Sequence, residues 1–475
     1  MRSSLARAVL LILAVTLAAG ALRLWSLGEP DRKVFDEVYY ASDGCLSSGR
    51  DFRECGLEDD AERSWVHPPL GKALIALGID AFGNRALGWR VASAVAGTAT
   101  VALIGILAYL LFRRAVWAGV ASLLLATESL HFVQSRISML DVFLAFFVVL
   151  GFVLLVADRR VAERRALAMP QPPHGEGWDA PGRSHGEDEP TPAGLGGVRP
   201  VRLLAGAAFG GAVAVKWSGV LALAGALILS GAWAISALRA GRRAGVDPDR
   251  LRRAFWADTA SVALGLVIVP AVVYLAAWLP WLSGRGWSLP QWWRHHLAMA
   301  DYHLNLDTVK EGGEPIHPYM SPAWKWFLLL RPVAYYWRGD PRCCAEILGI
   351  GNPLLFWGAL VVIPYLAVAW RQRLDWRAGA ALVPILSQYL PWLAVTRPLF
   401  LFYMTPVTPF LALGMAYVLR DLVVAPVSRR RVAVPAVAAV VLVSVGLFAF
   451  FWPVLTGHQV SQAAWGRRIW LDGWV

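Results

Sequence analysis

The chain has 475 residues, 57% of them hydrophobic, with 24 tryptophans and a mean hydropathy of +0.50. A soluble chain of that length would divide into domains with polar surfaces; here apolar stretches of about 20 residues recur, the length a helix needs to cross hydrocarbon. The net charge of +12 does not indicate nucleic acid, because the arginines collect in short loops on alternate sides of successive apolar segments and so set topology. The apolar runs are continuous rather than alternating, which argues against an outer-membrane barrel.

Arg2 and Arg7 precede a first span over 8–25 and place the N-terminus in the cytoplasm. A cleaved signal peptide is the competing reading of this short, Ala-rich segment. The following loop, 28–84, is then external and carries the acidic pair Asp36-Glu37. Adjacent carboxylates at a membrane exit are costly unless they face water, a cavity or a substrate. A carboxylate placed there suits a general base at the bilayer surface.

A second span over 87–112 ends at Arg113-Arg114, a third covers 115–133, and a fourth over 139–157 returns to Arg159-Arg160. Residues 159–200, rich in Pro, Gly, His and Glu past 166, read as a disordered cytoplasmic linker. Its His174 and His185 have no Cys or spaced His partner for a metal. Spans over 201–215 and 219–238 flank the turn Lys216-Trp217-Ser218-Gly219, and a span over 257–281 leads into an external segment, 282–348. The Trp and Tyr of that segment suit helices lying in the membrane interface. Spans over 350–370, 379–395, 399–419 and 433–453 close the chain. The expectation is one all-α polytopic membrane domain over 1–475, with about eleven spans and two large external loops.

All four cysteines fall outside in this topology, where a Cys45–Cys55 disulfide is allowed and free thiols are the alternative. The polar residues that are not topology markers also gather there: Asp36, Glu37, His67, Lys72, Arg90, Arg136, Asp141, Lys216, His317, Arg331 and Arg397. External lysines run against the inside rule, and a lipid phosphate or anionic substrate would explain them. Arg90, at the outer end of the second span, needs an anion or a route to the interface. Asp141 lies five residues from Arg136, off its helix face, so its partner belongs to another helix. His67-Pro68-Pro69 reads as a rigid turn into an interfacial helix. Neither zinc-ligand spacing, nor a phosphate-binding glycine loop, nor a Ser-His-Asp set is present.

Several motifs in order resemble the protein O-mannosyltransferases, the dolichyl- or polyprenyl-phosphate-mannose-dependent membrane glycosyltransferases. They are Phe35-Asp36-Glu37-Val38-Tyr39-Tyr40, Val66-His67-Pro68-Pro69-Leu70-Gly71-Lys72, Arg90 with Ser93-Ala94, and Arg136 to Asp141. Lys216-Trp217-Ser218-Gly219, Leu330-Arg331-Pro332-Val333-Ala334-Tyr335-Tyr336 and Phe402-Tyr403-Met404-Thr405-Pro406 follow. The resemblance implies an eleven-span GT-C architecture, Asp36 as base, Glu37 placing the acceptor, and Arg90 on the lipid phosphate. Lys216 and Arg397 are further donor-binding candidates, with His67, Lys72, Arg136, Asp141 and Arg331 in support. Segment 282–348 is too short for the β-trefoil domain of eukaryotic members, so the chain resembles the compact bacterial, actinobacterial-type form.

The implied reaction moves mannose from polyprenyl-phosphate-mannose to Ser/Thr hydroxyls of secreted proteins at the outer face of the cell membrane, with the acceptor expected to be met during translocation. A phosphate-linked sugar already has a good leaving group, so no acid is needed, only a base for the hydroxyl and cations for the departing phosphate. Attack opposite the leaving group inverts the anomeric centre. Membrane lipids are expected neighbours, nucleic acid is not a partner, and no metal or other cofactor is assigned. The competing readings are a related lipid-linked glycosyltransferase acting on a glycolipid or cell-wall polymer, and a transporter or flippase, for which no internal repeat is evident.

Overall fold

The computed structural model describes residues 2–57, 65–168, 199–310, 315–424 and 427–474. A long helix α1 (Arg2–Leu24) is followed by a loop that folds into two short helices, α2 (Glu37–Ser47) and α3 (Leu70–Phe82). Then come α4 (Ala86–Phe112), α5 (Ala115–Ala126), α6 (Ser129–Gln134) and α7 (Leu140–Ala168). Helices α8 (Pro200–Val215), α9 (Gly219–Arg243), α10 (Pro248–Ala263) and α11 (Val269–Ala277) follow, α10 and α11 being joined by a π-helical turn, Leu264–Ile268. Two helices, α12 (Leu279–Ser283) and α13 (Leu289–Asn305), precede a hairpin of β1 (Val333–Gly339) and β2 (Cys343–Gly349). Helices α14 (Pro353–Gln372), α15 (Trp376–Tyr389), α16 (Thr408–Val424) and α17 (Val427–Thr456) lead to a short strand β3 (Val460–Ser461) and to α18 (Gln462–Gly466).

Seven helical stretches among the described residues are long and apolar enough to cross a membrane: 4–24, 86–112, 140–164, 219–243, 248–277, 353–372 and 433–456. Two shorter apolar helices, Ala115–Ala126 and Pro200–Val215, fall where further spans were expected. Helices α15 and α16 fall at the remaining two expected spans, 379–395 and 399–419.

The helix starts follow from local chemistry. Asp247, Ser288, Asn352 and Asp375 each accept a hydrogen bond from a first-turn N–H, and proline sits at the start of α10, α13 and α14, where no N–H is needed. The expected third span breaks early, because Glu128 turns its carboxylate back to cap α6 through the N–H groups of Leu130 and His131. Helix α7 continues to Ala168, past the expected start of the linker at 159, while 169–198, with His174 and His185, lies outside the described residues.

A small sheet, order β1-β2-β3 and antiparallel throughout, adds to the all-helical expectation. Cys45 and Cys55 are disulfide-bonded in the loop that bears α2, while Cys343 and Cys344 on β2 are free thiols. Helix α3 lies directly on the start of α4: a Cβ on Gly78 would collide with the Gly88 carbonyl, so glycine lets the two backbones touch. The first turn of α2 and the N-terminal ends of α3, α4 and α7 therefore meet at one end of the helical body, where the acidic pair lies.

Candidate active site

The two carboxylates of the acidic pair have opposite environments. Glu37 is 0% exposed and Arg90 is 0% exposed, and they form a bidentate ion pair with Nε–Oε1 2.8 Å and Nη2–Oε2 2.9 Å. The other three Arg90 N–H groups donate to the carbonyls of Leu27, Pro30 and Arg32 at 3.2, 3.1 and 2.8 Å. Glu37 also accepts from the N–H groups of Val34 and Ser138, both at 2.9 Å, and from the Ser138 hydroxyl. The pair thus stitches the first loop to α4 and to the entry of α7. Five donors are spent on protein acceptors, so Arg90 has none left for a lipid phosphate, and the buried Glu37 cannot reach an acceptor peptide. These contacts favour a positioning role for both residues over the roles implied by the resemblance.

Asp36 is freed by the same arrangement. It sits at the start of α2 but makes no capping bond, and among the described residues its carboxylate has no hydrogen-bond or ion-pair partner. Burial, opposed by Lys216 and reinforced by Asp141, pushes its pKa up to about 7. Phe35, one residue before it, holds a left-handed φ of 48° that a phenylalanine rarely adopts. Its ring is gripped edge-on by Tyr335, His317, Phe402 and Phe400 at centroid distances of 5.2, 5.6, 5.9 and 6.5 Å. This aromatic socket over-determines the turn that aims Asp36.

Lys216, in the turn between α8 and α9, places Nζ 2.9 and 3.0 Å from the two Asp141 oxygens and 4.5 Å above the Tyr403 ring. Asp141 thus finds its partner off its own helix, in the turn between α8 and α9 rather than on a helix. Arg397 donates from Nη1 to His303 Nδ1 at 2.9 Å and from Nη2 to the Tyr403 hydroxyl at 3.4 Å. His303 Nε2 lies 2.8 Å from the Val66 carbonyl, which can only accept, so His303 is the Nε2–H tautomer with Nδ1 free to accept. Burial, with Arg397 beside it, lowers the His303 pKa to about 4, keeping the ring neutral. The His303 ring stacks on His67 at 5.3 Å, and burial holds His67 well below the usual imidazole range too. Arg397, half-exposed, keeps N–H groups that no described residue occupies, so it suits an incoming anion better than Arg90.

The remaining candidates make contacts within the fold. Lys72 pairs with Asp43 at 2.9 Å, locking α3 to α2. Arg136 donates to the carbonyls of Leu22, Arg23 and Trp25, closing the C-terminal end of α1. Arg331 ties Pro318 to Gly473 through their carbonyls. Sequence reasoning missed His303, whose signal was only its place on the inward stripe of α13 with Trp292, His296 and Met299. It also left Tyr40 and Tyr403 unassigned inside motifs it quoted. Among the described residues no group of three or more His, Cys, Asp and Glu side chains could hold a metal ion.

The chain has counterparts among known proteins. Residues 288–474 match the C-terminal four TMM region of protein-O-mannosyltransferase, and residues 81–166 match dolichyl-phosphate-mannose-protein mannosyltransferase. A polyprenol-phosphate-mannose–protein mannosyltransferase of Mycolicibacterium smegmatis is 32% identical over 499 residues, covering 97% of this chain and 92% of the relative. The protein of the same name from Mycobacterium tuberculosis is 32% identical over 488 residues, covering 95% and 88%. The Saccharomyces cerevisiae Pmt1-Pmt2 complex bound to the sugar donor superposes with a TM-score of 0.72 at 14% identity, covering 98% of this chain and 92% of that one. ArnT from Cupriavidus metallidurans bound to undecaprenyl phosphate gives 0.56 at 18% identity, covering 97% and 78%. The two solved structures establish the shared GT-C fold, and the sequence relatives establish more: the chain belongs to the protein mannosyltransferase family.

Proposed function

We propose that this chain transfers mannose from polyprenyl-phosphate-mannose to Ser/Thr hydroxyls of secreted proteins, with inversion, at the outer face of the cell membrane. The N-terminus is cytoplasmic in this reading, and the acceptor is engaged as it emerges from translocation. The observation that carries the reading is the unpartnered Asp36 carboxyl, with a pKa of about 7, beside the Lys216–Asp141 pair. A carboxylate of that proton affinity is ionised in part at neutral pH and is basic enough to take the hydroxyl proton as oxygen attacks the anomeric carbon.

Two cations serve the leaving group. Lys216, anchored by Asp141 and the Tyr403 face, and Arg397, steadied by neutral His303, stabilise the charge gathering on the lipid phosphate. The sugar–phosphate bond breaks as the new glycosidic bond forms, and the proton ends on Asp36. The relatives named for polyprenol-phosphate-mannose support the donor.

Detergent-purified protein incubated with labelled polyprenyl-phosphate-mannose and a Thr-rich peptide tests this. Label on the peptide hydroxyl, in the α-configuration from a β-linked donor, is expected. Label appearing only on lipid or polymer acceptors would overturn the acceptor assignment.

A further inference from the structure

Far from Asp36, a second polar site is built where the C-terminal ends of α4, α14 and α16 meet α7 and the start of α15. Asp141 and Arg160 lie on the same helix, and their separation of 19 residues puts them about 28 Å apart along its axis, about the thickness of the hydrocarbon core. A cavity of about 570 Å³ opens there, lined by Arg160, Arg373, Arg377, Arg420, Asp375 and Asp421. Four guanidiniums thus face two carboxylates. Including the neighbouring pair Arg159 and Glu163 leaves the excess of two positive charges unchanged.

The arginines are held in place. Arg160 donates to the carbonyls of Leu110 and Leu111 at the end of α4 and lies 4.7 Å over the Trp376 ring. Arg377 grips Asp375 with two contacts of 2.7 Å. Arg373 and Arg420 share the single carboxylate of Asp421, at 2.9 and 2.8 Å, so one positive charge of that trio is not neutralised. The edge of the same cavity is apolar: Leu374 is 71% exposed and Val424 64% exposed. Leu374 moreover holds a left-handed φ of 54°, a conformation leucine takes only under constraint.

A basic floor with an apolar lip, one bilayer thickness from the transfer site, matches a molecule with a phosphate head and acyl tails. We propose that this cavity binds the phosphate of an acidic phospholipid in the leaflet opposite Asp36, with Arg373 and Arg420 taking the anion while Leu374 and Val424 meet the first methylenes. The proposal is independent of the mannosyl transfer reaction.

Native mass spectrometry of the detergent-purified full chain, with added phosphatidylglycerol or phosphatidylcholine, tests it. The native chain is expected to retain phosphatidylglycerol in preference. Arg373→Gln with Arg420→Gln should weaken that binding about 25-fold, from about fivefold per charge, while Arg373→Lys with Arg420→Lys keeps most of it. Should the Gln pair fail to fold, competition on the native chain decides, since inorganic phosphate alone lacks the tails and should not displace the lipid. Equal retention of the two lipids, or displacement of phosphatidylglycerol by an equal concentration of inorganic phosphate, would overturn the proposal.

Discussion

Replacing Glu37 by Ala strands a guanidinium that is wholly buried, and leaves the N–H groups of Val34 and Ser138 without their acceptor. Replacing Arg90 by Ala strands the carboxylate and frees three backbone carbonyls. Breaking a buried pair from one side costs about 3–5 kcal/mol, a large part of a domain's net stability of about 5–15 kcal/mol. Each single variant should therefore unfold at markedly lower denaturant, in detergent, than the native chain. The double variant removes both charges together and should lose less than the sum of the singles, giving a coupling energy of about 2–3 kcal/mol. Folded yield and unfolding midpoint are the measurements. Arg90→Ala protein that unfolds like the native chain but shows a raised KM for the lipid donor alone would refute the positioning role and restore Arg90 to the phosphate.

As the proposed base, Asp36 must be ionised to act, and with its pKa near 7 the transfer rate should rise about tenfold per pH unit below 7 and level off above it. Lys216 holds that pKa down and Asp141 holds it up, so in rate–pH profiles Lys216→Met should move the midpoint to higher pH and Asp141→Asn to lower; unchanged midpoints would mean that Asp36 is not the titrating group. Arg397→Gln should raise the KM for polyprenyl-phosphate-mannose by about tenfold with the peptide KM unaffected, the loss expected for one charge-assisted phosphate contact. Phe35→Ala empties the aromatic socket beside Asp36, and kcat should fall while the disulfide-linked loop still folds; full kcat would show that the socket does not aim the carboxylate.

Patterns that repeat along the chain were the legible part. Apolar length and arginine placement located most of the long helices, because membrane thickness dictates one and charge asymmetry the other, but ends slipped by about ten residues where α7 runs on to Ala168, α10 starts at Pro248 and α16 starts at Thr408. The exceptions are local: Glu128 ends a helix early by capping the next, and the β1–β2 hairpin hides in a segment dominated by aromatic residues. The polar residues that the structure brings together were legible, but not the contacts that each one makes. Arg90 and Arg397 look alike as arginines at an outer boundary, and only the acceptors around each tell a spent guanidinium from an available one. In the same way Asp36 and Glu37 are neighbours in sequence, yet the turn at Phe35 sends one carboxylate into the packed interior and leaves the other unpartnered. His303 came from a helix with no motif of its own, brought to Arg397 by long-range packing alone.

The claim that Asp36 is the base is tested most directly by Asp36→Asn, which keeps the side-chain shape and leaves the Glu37–Arg90 pair untouched. Transfer of labelled mannose from polyprenyl-phosphate-mannose to a Thr-rich peptide should fall by at least about 100-fold, with the unfolding midpoint unchanged. Native-level transfer by a well-folded Asp36→Asn protein would contradict the account.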